Sequence, residues 1–183
     1  MSEAAQGFDS VLQRAAGILI NISERTMMKV LHVHCGSRLG YYLGQSTVFD
    51  MTGVSTSPRI VEECKKLRYY KDAALVDAKL DVLKDQYRTG TFQACVCLHP
   101  PSTGSEGDES ILTVQDALRL VTHDGFVLYG ATEDTWEREG VQDQVESAEQ
   151  GGRGPMTHCA TLLSIQILDV GQPYLLSLLR KKQ

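Results

Sequence analysis

Long apolar runs are missing from this sequence. No segment approaches the roughly 18–20 residues that a helix needs to cross a bilayer, so no membrane span is expected. Positive charge is not in excess either. Eighteen Lys and Arg stand against 23 Asp and Glu, a net charge of −5, which argues against a dedicated nucleic-acid binder but not against a small or cationic substrate. The five cysteines include no Cys-x-x-Cys pair. Thiols such as Cys95, Cys97 and Cys159, set in apolar runs, read as reduced and buried. Neither a Walker loop nor a Gly-x-Ser-x-Gly elbow occurs, so phosphoryl transfer and serine hydrolysis have no motif behind them. The N-terminus lacks the basic and apolar blocks of a secretory signal, and a cytoplasmic protein is expected.

What is present is an alternation of strands and helices. Residues 8–25 carry Phe8, Val11, Leu12, Ala15, Ala16 and Leu19 at helical spacing. A short apolar strand follows at 30–33, then a glycine turn, and 39–43 can begin a second helix. Strand two is expected over 47–54. Ser57-Pro58 opens a helix, with Ser57 as N-cap and Pro58 at the first helical position. A third strand at 73–76 ends at Asp77. Phe92–Leu98 is almost wholly apolar, as a strand buried on both faces should be. A helix over 111–121 precedes a turn at His123-Asp124-Gly125 and a strand at 126–129. Residues 133–149 carry seven carboxylates against one arginine and read as a helix with a solvated face. Strands at 160–168 and 174–179 close the chain, joined by Gly171-Gln172-Pro173. Such an order implies a parallel sheet with helices on both faces and an antiparallel edge. One domain is expected over residues 1–183, with an N-terminal helical region (1–27) ahead of an α/β core (28–183).

Four features resemble the class I S-adenosylmethionine-dependent methyltransferases. Leu31–Gly36 is similar to the family's first strand and turn, with Cys35-Gly36-Ser37 close to its common Cys-Gly-Thr. Gly53-Val54-Ser55-Thr56-Ser57-Pro58 resembles the end of strand two followed by Ser-Pro and a helix. Val76-Asp77-Ala78 with Leu80 is similar to the segment whose acid meets the adenine amine. The run from Ala117 to Leu128 resembles the family's helix, turn and fifth strand. The resemblance spans roughly residues 28–180. It implies a three-layer, Rossmann-like α/β fold with a mostly parallel seven-stranded sheet and an antiparallel edge strand. It further implies S-adenosylmethionine as cofactor, held by Gly36, Ser37, Arg38, Ser55, Asp77 and Ala78.

Several positions depart from that pattern. His32 replaces the acid of strand one, His34 and Arg38 flank Gly36 where glycines are usual, and Ser55 replaces the acid that binds the ribose hydroxyls. Gln93 stands where an aspartate often opens strand four. Losing a charged acceptor for the ribose should cost ~1.5–3 kcal/mol, or roughly ten- to a hundredfold in affinity. Cofactor binding is therefore expected to be weakened or lost. Arg38 has two possible directions, outward or toward the ligand's carboxylate. His99-Pro100-Pro101 lies where the family places substrate residues, and His99 is the candidate base.

Three functions stay open. One is a methyltransferase acting on a small-molecule or protein acceptor. A second is a catalytically inactive binding or scaffold protein with a protein partner. The third is a metal-binding domain built on His32, His34, Cys35 and His99: strand alternation puts His32 and His34 on one face, and neighbouring first and fourth strands would bring His99 near. Tyr41-Tyr42 and Tyr69-Tyr70 read as packing residues with their hydroxyls at the surface.

Overall fold

The computed structural model describes residues 3–24, 26–43, 48–76, 83, 86–101, 112–151 and 158–182. Its elements run α1 (Glu3–Ile22), β1 (Met28–Val33), α2 (Ser37–Leu43), β2 (Phe49–Ser55), α3 (Pro58–Leu67), β3 (Asp72–Leu75) and β4 (Phe92–Leu98). They continue with α4 (Val114–Leu120), β5 (Val121–Thr132), α5 (Glu133–Arg138), α6 (Val141–Glu149), β6 (Ala160–Asp169) and β7 (Pro173–Lys181).

The strands form one seven-stranded sheet in the order β3-β2-β1-β4-β5-β7-β6. Neighbours from β3 across to β5 pair in parallel. Strand β7 runs against both β5 and β6, which makes the antiparallel pair at that edge. Side chains alternate across each strand, so each central strand feeds two cores. Leu31, Val33, Cys95, Cys97, Val127 and Tyr129 join one core under α4, α5 and α6. Val30, Ala94, Val96, Leu98 and Leu128 join the other under α1, α2 and α3. Burial on both faces explains why β4 reads as an unbroken apolar run.

Local chemistry sets the helix ends. Thr113 caps α4 by accepting the Asp116 backbone N–H at 3.1 Å, and Pro58 takes the first position of α3, where a missing N–H costs nothing. The acidic stretch forms two helices instead of one. Gly140 adopts a left-handed conformation (φ 57°) between α5 and α6, and that conformation ends a helix. Strand β5 begins as early as Val121, so the turn expected at His123-Asp124-Gly125 lies within it, with Asp124 left-handed at φ 62°.

Connections from β1 lead first to β2 and β3 on one side, then cross to β4 on the other. The order therefore reverses between β1 and β4, and a crevice opens there beyond the carboxyl ends of the strands.

Candidate functional site

A cavity of about 260 Å³ occupies that reversal point. The turn residues Gly36, Ser37 and Arg38 line it, together with His32 and His34 from β1 and its end. Phe8 and Leu12 of α1 and Leu98 and Pro100 at the end of β4 supply apolar wall, and Glu63 of α3 stands at its side. Space is open where a Cβ at Gly36 would project. The glycine thus leaves room and does not serve to reach a left-handed conformation, because the left-handed residue of this turn is His34, at φ 57°. A non-glycine residue there costs ~1–2 kcal/mol.

That twist gives the two imidazoles different partners, although both line the cavity. Strand β1 stops at Val33. His34 swings to meet the ring of His99, with centroids 5.0 Å apart. His32 instead reaches Tyr70, its Nδ1 lying 2.7 Å from the Tyr70 hydroxyl. The same hydroxyl donates to the Gly36 carbonyl at 2.7 Å. A carbonyl only accepts, so the single phenolic proton is committed to Gly36. The hydroxyl must then accept from His32, which fixes the proton on Nδ1 and leaves Nε2 as an acceptor. Burial, with His34 beside it, holds the His32 pKa down to about 3, so the ring is neutral at pH 7. Burial also raises the Tyr70 hydroxyl well above its ordinary pKa. Tyr70 is 5% exposed; its hydroxyl is an internal strut, contrary to the surface position expected of it.

Room for Tyr70 comes from Gly53 of β2. A Cβ there would stand 3.0 Å from both the Cys35 side chain and the Tyr70 ring. Cys35 turns away from the cavity into the core, where the Cys64 thiol approaches its sulfur at 3.8 Å. That bond and burial raise the Cys35 pKa and keep it a thiol. The four proposed metal ligands therefore part company: His34 and His99 meet, while His32 is bound to Tyr70 and Cys35 faces Cys64. Among the described residues no group of three or more His, Cys, Asp or Glu is arranged to hold a metal.

Arg38 takes the outward direction. Its Nη1 pairs with Asp9 of α1 at 2.7 Å, and the Tyr42 hydroxyl donates to the other Asp9 oxygen at 2.6 Å. The Tyr42 bond, against an opposing effect of burial and with help from Arg38, lowers the Asp9 pKa. Helix α1 is thereby tied to α2 through Arg38, which also lines the cavity. Spacing along the chain does not signal this tie, since Asp9 and Arg38 are 29 positions apart.

Ser55 ends β2, 5% exposed. Its Oγ accepts the Ser57 backbone N–H at 3.1 Å, so one hydroxyl proton remains to give a ligand. Asp77 and Ala78 lie outside the described residues. His99 is 7% exposed, with its Nε2 3.3 Å from the Cys97 sulfur and its ring against Tyr129, centroids 5.4 Å apart. Burial, aided by His34, lowers its pKa to about 3. Tyr129 in turn stacks edge-on to Trp136 of α5, which is buried as a packing anchor.

The sequence matches no protein-family model, and no curated protein matches it. Solved structures do match in fold. The magnesium protoporphyrin IX methyltransferase ChlM of Synechocystis, solved with bound S-adenosylmethionine, is 11% identical with a TM-score of 0.67, covering 96% of this chain and 80% of its own. The N-methyltransferase NodS of Bradyrhizobium japonicum is 14% identical with a TM-score of 0.59, covering 98% and 97%. A TehB-like methyltransferase of Corynebacterium glutamicum is 20% identical with a TM-score of 0.55, covering 91% and 87%. The fold is that of the class I S-adenosylmethionine-dependent methyltransferases. The same fold also carries other chemistry, since the [4+2]-cyclase SpnF matches with a TM-score of 0.61 at 15% identity, over 93% of this chain and 81% of its own.

Proposed function

We propose that this chain binds S-adenosylmethionine, with a weakened grip, in the crevice beyond β1, β2 and β4, and that it acts as a methyltransferase-like protein. The observation that carries the reading is the cavity at the reversal point, with open room above Gly36. In this reading Gly36, Ser37 and Arg38 border the amino-acid tail. Ser55 gives the ribose one neutral hydrogen bond in place of a charged one, and Asp77 and Ala78 meet the adenine. Bound S-adenosylmethionine supplies an activated methyl group; the protein supplies position and exclusion of water.

His99 is our candidate for the side chain at the acceptor. An imidazole held near pKa 3 is a feeble base at neutral pH, far from the match that general-base catalysis favours. The acceptors that suit this site are therefore groups already nucleophilic at pH 7, such as an uncharged amine or a thiolate, on a small molecule or a protein. Calorimetric titration of ligand-stripped protein with S-adenosylmethionine and S-adenosylhomocysteine tests the reading. Micromolar binding is expected, and an absence of heat at millimolar ligand overturns it.

A second reading is a catalytically inactive binding or scaffold protein that kept the fold and lost the cofactor. Two observations favour it: Tyr70 already occupies the Gly36 carbonyl, and Arg38 is already paired with Asp9. Under that reading the titration is silent and a protein partner is to be sought.

A further inference from the structure

The sheet has two outer edges, and they are finished differently. Strand β3, at one edge, is four residues long and opens on the exposed Asp72. Strand β6, at the other, runs ten residues and holds neither a charge nor a proline before Asp169. Shortness, charge and proline are what keep an edge from pairing with another chain, and β6 has none of them over Ala160–Leu168. Its side chains point the same way. Ile165 (38% exposed) and Ile167 (73% exposed) stand opposite Ser177 and Leu175 of β7, on the sheet face that carries α4, α5 and α6. Gln166 projects to the other face, where Arg14 of α1 donates to its Oε1 at 2.6 Å. One end of this edge is already closed. A bulge falls between Leu162 and Ser164, and the Leu162 N–H gives to a Glu149 carboxylate oxygen at 3.1 Å. The regular stretch that follows is Ser164–Leu168, with Gln166 at its middle. Among the described residues no strand pairs its outer side.

We propose that this stretch pairs with the same stretch of a second copy of the chain, antiparallel about a two-fold axis at Gln166, so that two sheets join into one. Two arguments select a second copy. Strand side chains alternate, so a two-fold axis on a residue sets odd positions opposite odd ones. Ile165 then faces Ile167 of the partner subunit, twice over, and no charge on the stretch repels its copy. The chain itself supplies no matching run outside the described residues. Residues 102–111 hold one isoleucine among Ser, Thr, Gly and acids, 152–157 include two glycines and a proline, and 77–82 carry three charges. The inference concerns the edge of the sheet and holds whether or not the crevice takes S-adenosylmethionine.

Sedimentation equilibrium of the full chain tests it. The 20.2 kDa chain should double its mass as concentration rises through about 10–100 micromolar, the weak range that suits an interface below the standard size. Ile165→Lys and Ile167→Glu each set a charge opposite an isoleucine. Each should weaken the dimer about tenfold, while far-ultraviolet circular dichroism shows both variants folded. Mixed one to one, the two variants should associate again, because the added ammonium then faces the added carboxylate on one side of the axis and isoleucine faces isoleucine on the other. A mass that stays at one chain up to millimolar protein overturns the proposal and leaves the edge to a strand of a different protein. A dimer that survives both substitutions puts the interface elsewhere, and a mixture that stays monomeric removes the two-fold axis at Gln166. Either result also overturns it.

Discussion

His32 and His99 stand on either side of the point where the strand order reverses, one in β1 and the other just past the end of β4. Both are buried and both are held near pKa 3. Their wiring differs. His32 belongs to a directed relay of two 2.7 Å bonds that ends on the backbone of the turn. His99 rests among a thiol and aromatic rings, which hold it by packing more than by hydrogen bonds. A depressed pKa thus identifies burial in both cases and distinguishes nothing between them. The hydrogen-bond partners carry the difference: one imidazole has its tautomer set by Tyr70, and the other is positioned by shape.

The largest expected effect treats the two alike. An unfolded histidine takes up a proton below about pH 6.5, while these two resist protonation until about pH 3. Between those values the unfolded state binds more protons, so stability is fully present above pH 6.5 and is lost as pH falls toward 3. Each approaches a slope of about 1.4 kcal/mol per pH unit well below pH 6.5, so the pair should lose about 2.4 kcal/mol between pH 6 and pH 5. His158, whose pKa is lowered first by its own burial, adds a smaller loss of the same sign. Urea unfolding across this range measures the slope, and half the expected steepness would show that one of the two is not sealed from water.

Mutating each partner then separates the histidines. Tyr70→Phe strands both the Gly36 carbonyl and the His32 Nδ1–H, and should cost ~1–3 kcal/mol. Cys97→Ala takes away a weaker partner and a small volume, and should cost about 1 kcal/mol. Equal losses in chemical denaturation would mean that the relay has no special weight. The smallest effect on stability is expected at the turn. Gly36→Ala puts a methyl group into open space, and folding stability should stay within ~0.5 kcal/mol. If the cavity takes the cofactor tail, the affinity for S-adenosylhomocysteine should nonetheless fall about tenfold. Unchanged binding in calorimetry would place the ligand elsewhere.

Much of the fold was legible because periodicity and punctuation agree along most of the chain. The apolar run of β4, Ser57-Pro58 before α3 and the amphipathic spacing in α1 each gave the right element. The acidic segment misled because its residues favour a helix throughout, and only the left-handed Gly140 divides it. Legibility was poorer at the site. Expecting His99 near the end of β1, where it meets His34, needed only the neighbouring first and fourth strands that the family resemblance implied. The course of His34 depended on a single left-handed residue at the end of β1, where strand parity no longer applies. Tyr70 carried no motif, and its role comes from a contact across 38 positions to His32. The tie from Asp9 to Arg38 is likewise a tertiary fact. Spacing along the chain reports neighbours on one element, whereas these contacts join separate elements.

The central claim is that the reversal point of the sheet is the ligand site. Backbone amide NMR of the labelled protein, titrated with S-adenosylhomocysteine, tests it most directly. The account predicts saturable shifts at Gly36, Ser37, Arg38 and Ser55, with the amino end of the sheet around Met28 and Phe126 unchanged. No shifts at millimolar ligand, or shifts centred away from the ends of β1 and β2, would contradict it.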